Sequence, residues 1–231
     1  MTADPALEGL YPFLYGQKQD AKAVQAGLIE SLRQKADHSV EVKRRFFEQN
    51  GEAVVAAARA IAEVYRSQGR LFTMGNGGSS CDAAHIAVEF QHPVTAGRPA
   101  LPAKNLTADA AVMTAVGNDI GFEHVYLRQI VAHGRAGDGL IGVSTSGNSA
   151  NLMAAFDKAK EMGLTTIGLA GMEGGEMARS DSLDHCLVVR TDSIHRIQEC
   201  HVAIYHILWD LVHTLLADER GGLAVTEGGA P

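Results

Sequence analysis

The sequence predicts an α/β protein: a parallel sheet with helices covering both faces. Two observations carry that expectation. After Gly69, five short apolar runs alternate with segments of helical periodicity, the pattern of strand–helix–strand units. The glycine- and serine-rich links fall at the ends of the first and third runs, where such sheets gather ligands.

The elements follow in order. Residues 1–19 carry Pro5, Pro12 and Gly16 and read as an irregular arm. From Asp20 to about Gly69 runs one long helical signal, open to a break near Asp37-His38-Ser39. Val54, Ala57, Ile61, Val64 and Tyr65 form its apolar stripe at three- and four-residue steps. Gly69 is expected to terminate it. Candidate strands are Arg70–Met74, Ala100–Leu106, Gly139–Ser144, Thr165–Ala170 and His185–Val189. Helical patterns lie between them at Ser80–Gln91, Ala108–Val116, Phe122–His133 and Ser149–Glu161, with a short one at Gly175–Ala178. A last helix is expected from Ile194 to Ala217, and the tail from Glu219 reads as disordered.

At 231 residues, 46% apolar and 20% charged, the chain is sized for one large domain with an appendage. A net charge of −7 argues against a nucleic-acid or anionic-membrane surface. The one basic cluster, Lys43 to Phe47, reads as the solvated side of a helix. Cys81, Cys186 and Cys200 have no C-x-x-C spacing, so reduced thiols and a cytoplasmic setting are expected. The N-terminus does not read as a signal peptide, and no apolar segment is read as approaching the ~20 residues of a membrane span.

Gly75-Asn76-Gly77-Gly78-Ser79-Ser80 and Ser144-Thr145-Ser146-Gly147-Asn148-Ser149 each precede a helix start. Free backbone N–H groups and the helix dipole favour an anion there. An ordinary turn with a capping serine is the plainer reading of either loop, but two at corresponding strand ends favour a phosphate. Neither is a nucleotide motif, since the P-loop lysine is missing. His85 and Glu89, four apart, share a helix face. They could be an ion pair, a core pair, a metal site or an acid–base pair. Gln198, Val202 and His206 form one ridge of the last helix, and a buried glutamine and histidine would need partners. His201 and His213 are expected to be exposed or at an interface, Tyr205 and Trp209 to be core or interface aromatics, and Cys81 to be a small buried helix residue.

The segments GNGGSSCDAAHIAVEF, AVGNDIGF, GDGLIGVSTSGNSANLMAAF, GMEGGEMA and RIQECHVAIYHIL resemble those of sugar isomerase (SIS) domain proteins, most of all the phosphoheptose isomerases. The resemblance implies a flavodoxin-like α/β/α three-layer sandwich with a five-stranded parallel sheet and long N- and C-terminal helices. The SIS domain would span 37–218, after an arm and first helix at 1–36 and before the tail at 219–231. It implies a homotetramer that converts sedoheptulose 7-phosphate to D-glycero-D-manno-heptose 7-phosphate, without nucleic acid or membrane partners. Glu89 and His206 would be catalytic. His85, Glu89, Gln198 and His206 would hold a zinc ion. Asn76, Gly77, Gly78, Ser79, Asp119, Ser144, Thr145, Ser146, Ser149 and Gln198 would contact the sugar phosphate. The related non-catalytic scaffold, which associates with a replication initiator, lacks the glutamate and the last histidine. Two positions depart from the family pattern: Pro93 stands where it has an arginine, and His195 where it has an aspartate. Both bear on the length or stereochemistry of the sugar.

Overall fold

The computed structural model describes residues 21–218; the N-terminal arm and the tail from Glu219 lie outside the described residues. The chain divides into two compact units, 1–40 and 41–231. In the first, the described residues are helical and mostly exposed, Leu28 and Leu32 included. These residues open helix α1, Ala21–Arg66. Residues 37–39 are helical, so the expected break is not there.

The second unit holds the sheet. From residue 41 onward α1 presents Val42, Phe46, Val54, Ala57, Ile61 and Tyr65 as its buried stripe, the three-and-four spacing of one helix face. Its end differs in detail from expectation. Gln68, with φ 61°, adopts the left-handed conformation, and Gly69 N donates to Val64 O at 2.8 Å. Glycine follows because a Cβ at 69 would overlap the Gly137 and Val64 carbonyl oxygens.

The strands are β1 (Leu71–Gly75), β2 (Ala103–Asn105), β3 (Gly139–Ser144), β4 (Thr165–Gly171) and β5 (His185–Val189). All pair in parallel in the order β2-β1-β3-β4-β5. Every residue of β1 and β3 is buried, as covered parallel strands require. β2 is only three residues long, shorter than the apolar run 100–106 suggests. Pro102 interrupts that run, and proline cannot donate to a ladder. Pro102 still takes part as an acceptor, from Leu71 N at 3.0 Å.

Helices α2 (Gly78–Gln91), α3 (Ala110–Asp119), α4 (Val125–His133), α5 (Ala150–Glu161) and α6 (Ile194–Asp218) connect or follow the strands. Short 3₁₀ turns occupy Phe122–His124 and Met177–Arg179. One core layer joins α1, α2 and α6 to Leu71, Ile141, Val143, Ile167 and Leu187. The other joins α4 and α5 to Phe72, Met74, Leu140 and Ala170. Alternate strand residues feed opposite layers, which makes the three-layer sandwich.

Contrary to the sequence expectation, Ile194–Ala217 of α6 is long and apolar enough by composition to cross a membrane, with a mean hydropathy of 1.3. Its Ile197, Cys200, Ile204, Leu208 and Val212 instead lie in the core against the sheet. His201 and His213, expected at the surface, are buried. His201 Nε2 lies 3.0 Å from Ala170 O, so that nitrogen is the donor. Burial lowers its pKa to about 4, against the opposing effect of that hydrogen bond. His213 lies between Phe90 and Trp209. All three cysteines are free, and Cys81 is exposed rather than buried.

Candidate active site

The strand order reverses around β1: β2 lies on one side and β3 on the other. The carboxyl ends of β1 and β3 are therefore the crevice where a doubly wound sheet binds ligands. Both hydroxyl-rich loops start there. In the first, Gly77 takes φ 55° and caps α2 without a side-chain hydrogen bond, leaving the N-terminal N–H groups of α2 to backbone partners and ligand. Ser79 is buried, whereas Ser80, one helical step on, borders a cleft of about 330 Å³. Gly75, Asn76, Gly77, Thr107, Thr114 and Tyr126 complete much of that border. Sequence reading singled out Ser79 and passed over Ser80, because the phase of α2 is set by its start at Gly78.

The second loop is braced internally. Ser144 Oγ lies 3.1 Å from Ser149 Oγ and accepts from Gly147 N at 3.1 Å. Ser146 Oγ accepts from Asn148 N, and Asn148 Oδ1 accepts from Glu176 N. Thr145, Ser146 and Ser149 are partly exposed at this edge. Ser149 begins α5 without capping it through its side chain. The two loops are joined by a reciprocal amide pair. Asn76 Nδ2 donates to Asn151 Oδ1 at 2.8 Å, and Asn151 Nδ2 donates back to Asn76 Oδ1 at 2.9 Å. Tyr126 O–H donates to Gly75 O at 2.5 Å and reaches Asn76 Oδ1 at 3.2 Å. Neither Asn151 nor Tyr126 was identifiable from the sequence; the signal for Asn151 was a polar residue in the first turn of a buried helix.

α2 and α6 cross beside these loops and bring the titratable groups together. His85 Nε2 lies 3.1 Å from Glu89 Oε1. The His85 and His206 rings are 5.0 Å apart and near perpendicular. One donor atom from each of His85, Glu89 and His206 falls within 4.8 Å of the others. Two imidazoles and a carboxylate at this separation are a divalent-metal donor set. His85 keeps 43% of its side chain exposed and Glu89 18%, so the cluster is open on one side.

Gln198, on α6, approaches the first loop at the start of α2. A Cβ on Gly78 would overlap its Nε2, so glycine there is what lets the amide approach α2. Asp119 is not drawn into the group. It ends α3 and borders a different surface depression with Ile120 and Arg128.

Burial holds the His206 pKa below its ordinary value, helped by His85 and opposed by Glu89. The shift favours the neutral imidazole, whose bare nitrogen can accept a proton. Burial pushes Asp82, in the same helix turn as His85, up to about 6, with His85 opposing. Two aromatics brace the cluster. Tyr205 Oη lies 2.8 Å from His85 Nδ1, and Trp209 Nε1 donates to Glu89 O at 2.8 Å. The guanidinium of Arg98 covers the Trp209 ring at 4.3 Å.

Comparison with known proteins agrees with this geometry. The SIS domain profile matches residues 36–171. A phosphoheptose isomerase of Roseiflexus sp. (strain RS-1) is 42% identical over 181 residues, spanning 78% of this chain and 91% of that protein. One of Aneurinibacillus thermoaerophilus is 47% identical over 156 residues, 68% of this chain and 77% of that protein. The solved phosphoheptose isomerase of Neisseria gonorrhoeae superposes with a TM-score of 0.75 at 37% identity, covering 81% of this chain and 99% of that one. That of Francisella tularensis gives 0.76 at 31% identity, covering 80% and 98%. With identity sustained across 77–99% of the length of these relatives, the chain belongs to the SIS-domain family and, within it, to the phosphoheptose isomerases.

Proposed function

We propose that the protein interconverts sedoheptulose 7-phosphate and D-glycero-D-manno-heptose 7-phosphate through an enediolate. The observation that carries this reading is the convergence of His85, Glu89 and His206 beside two loops suited to a phosphate. Relatives 42% and 47% identical bear the phosphoheptose isomerase name.

Aldose–ketose isomerisation moves a proton between adjacent carbons and redistributes protons on their oxygens. Glu89, mostly withdrawn from solvent, serves as the base that takes the carbon-bound proton and returns it to the neighbouring carbon. His206, its neutral form favoured by burial, exchanges protons with the oxygens. Ser144, Thr145, Ser146 and Ser149, with the N-terminus of α2, bind the phosphate and set the reacting carbons against Glu89. Asn76, Gly77, Gly78 and Gln198 line the path between.

His85, Glu89 and His206 form a donor set that suits zinc, with Gln198 as a fourth ligand. A bound zinc ion would supply Lewis-acid polarisation of the substrate carbonyl. The assembly is a homotetramer, a reading supported by the exposed apolar side chains of Leu28, Leu32 and Val40 along α1. The scaffold alternative loses ground because Glu89 and His206 are both present.

The direct test is incubation with sedoheptulose 7-phosphate and NMR detection of the aldose product. Absence of turnover by protein of confirmed zinc content would overturn the heptose assignment. Elemental analysis of freshly purified protein checks the metal.

A further inference from the structure

A core aromatic on α6 makes a contact that packing does not require. Tyr205 is 3% exposed, and its ring meets those of His85 and His206 edge-on at 5.3 Å and 4.8 Å. Those ring contacts would be equally available to phenylalanine. The hydroxyl, however, lies 2.8 Å from His85 Nδ1, while the opposite nitrogen, Nε2, faces Glu89 Oε1 at 3.1 Å. His85 is thus held at both nitrogens, one by a carboxylate and one by a phenol.

The two partners are not equivalent. A carboxylate only accepts hydrogen bonds, so in the neutral, metal-free imidazole the contact with Glu89 favours the proton on Nε2 and leaves Nδ1 bare. The bare Nδ1 then needs a donor, and the Tyr205 O–H is placed to be one. When Nε2 instead offers its lone pair to a metal ion, the imidazole proton sits on Nδ1 and needs an acceptor. The same phenol oxygen serves, since a hydroxyl both donates and accepts. A lysine ammonium could only donate and a carboxylate could only accept.

We infer that Tyr205 is a positioning residue: its hydroxyl fixes the ring orientation of His85 in both tautomers and keeps Nε2 turned toward Glu89 and His206. The inference rests on the reading of His85 as a metal ligand. A partner at the second nitrogen of a ligating histidine typically changes metal affinity by about 10–100-fold.

The test uses the full-length protein and Tyr205→Phe, which keeps the ring. In metal-free protein above neutral pH, long-range ¹H–¹⁵N correlation spectra report which nitrogen of His85 is protonated. Wild type is expected to show a single Nε2–H form, and Tyr205→Phe a mixture of tautomers. Zinc titration against a chelating dye is expected to show affinity weakened by about 10–100-fold in the variant. A His85 tautomer in wild type with the proton on Nδ1, or identical spectra and zinc affinity in the two proteins, would overturn the inference. The spectra need neither zinc nor turnover, so a wild type that binds no zinc would refute the metal reading and still leave the role of Tyr205 decided by its own measurement. Should the variant not fold, the wild-type spectrum decides: a Tyr205 hydroxyl proton coupled to His85 Nδ1 supports the inference, and its absence overturns it.

Discussion

Glu89 is the residue whose chemistry can be isolated most cleanly. Replacing it by glutamine keeps its size and leaves the Trp209 hydrogen bond to its carbonyl intact. In Glu89→Gln, exchange of the substrate's carbon-bound proton with D₂O should fall by about 10²–10⁴-fold, while binding of a phosphorylated substrate, followed by calorimetry, persists. His201 acts on stability instead. Its folded pKa is depressed to about 4, against roughly 6.5 in an unfolded chain. The folded state therefore excludes a proton that the unfolded state accepts, and stability is lost as pH falls from about 6.5 toward about 4. Between pH 7 and pH 5 this should cost wild type about 2 kcal/mol. Urea unfolding at the two pH values should show that difference shrink in His201→Gln, which keeps a donor for Ala170 O.

At the scale of elements, the glycines of the first loop separate fold from site. A Cβ at Gly75 would strike the carbonyl of Ser79, whereas one at Gly78 meets only the end of the Gln198 side chain. Gly75→Ala should accordingly destabilise by about 1–3 kcal/mol, as forced overpacking does. Gly78→Ala should stay within about 0.5 kcal/mol of wild type but raise KM, because Gln198 is displaced. Melting curves and steady-state kinetics on both variants check the pair. Strands and helices were legible because a covered parallel sheet reads as apolar runs: β3 and β5 fall on their expected residues, while β2 starts only after Pro102. The burial of His201 and His213 was not legible. Helical spacing tells which residues share a face, but not that α6 is covered by the sheet on one side and by α2 and the segment after it on another. Tyr205 was hidden for the same reason, as its partner is 120 residues away. His85, Glu89 and His206 could be named from the resemblance, but their approach to within 4.8 Å depends on how two helices cross.

For the whole molecule the expectations are assembly and metal dependence. Light scattering should give about four times the 24.5 kDa chain mass, and a monomeric mass would refute the tetramer. Dialysis against a chelator should abolish isomerase activity and lower the melting temperature, with both restored by zinc, since a ligand of the folded state alone stabilises it. An activity indifferent to chelation would remove zinc from the mechanism.

The reciprocal amide pair of Asn76 and Asn151 also bears on the choice of sugar. It rivets together loops that leave two different strands, so neither can follow a ligand without dragging the other. On the proposed function, a phosphate seated there would be the zero mark of a ruler, with Glu89 at a set reading along it. Sugars would then be sorted by the number of carbons between phosphate and carbonyl, with a shorter chain left hanging short of the base however well its hydroxyls match.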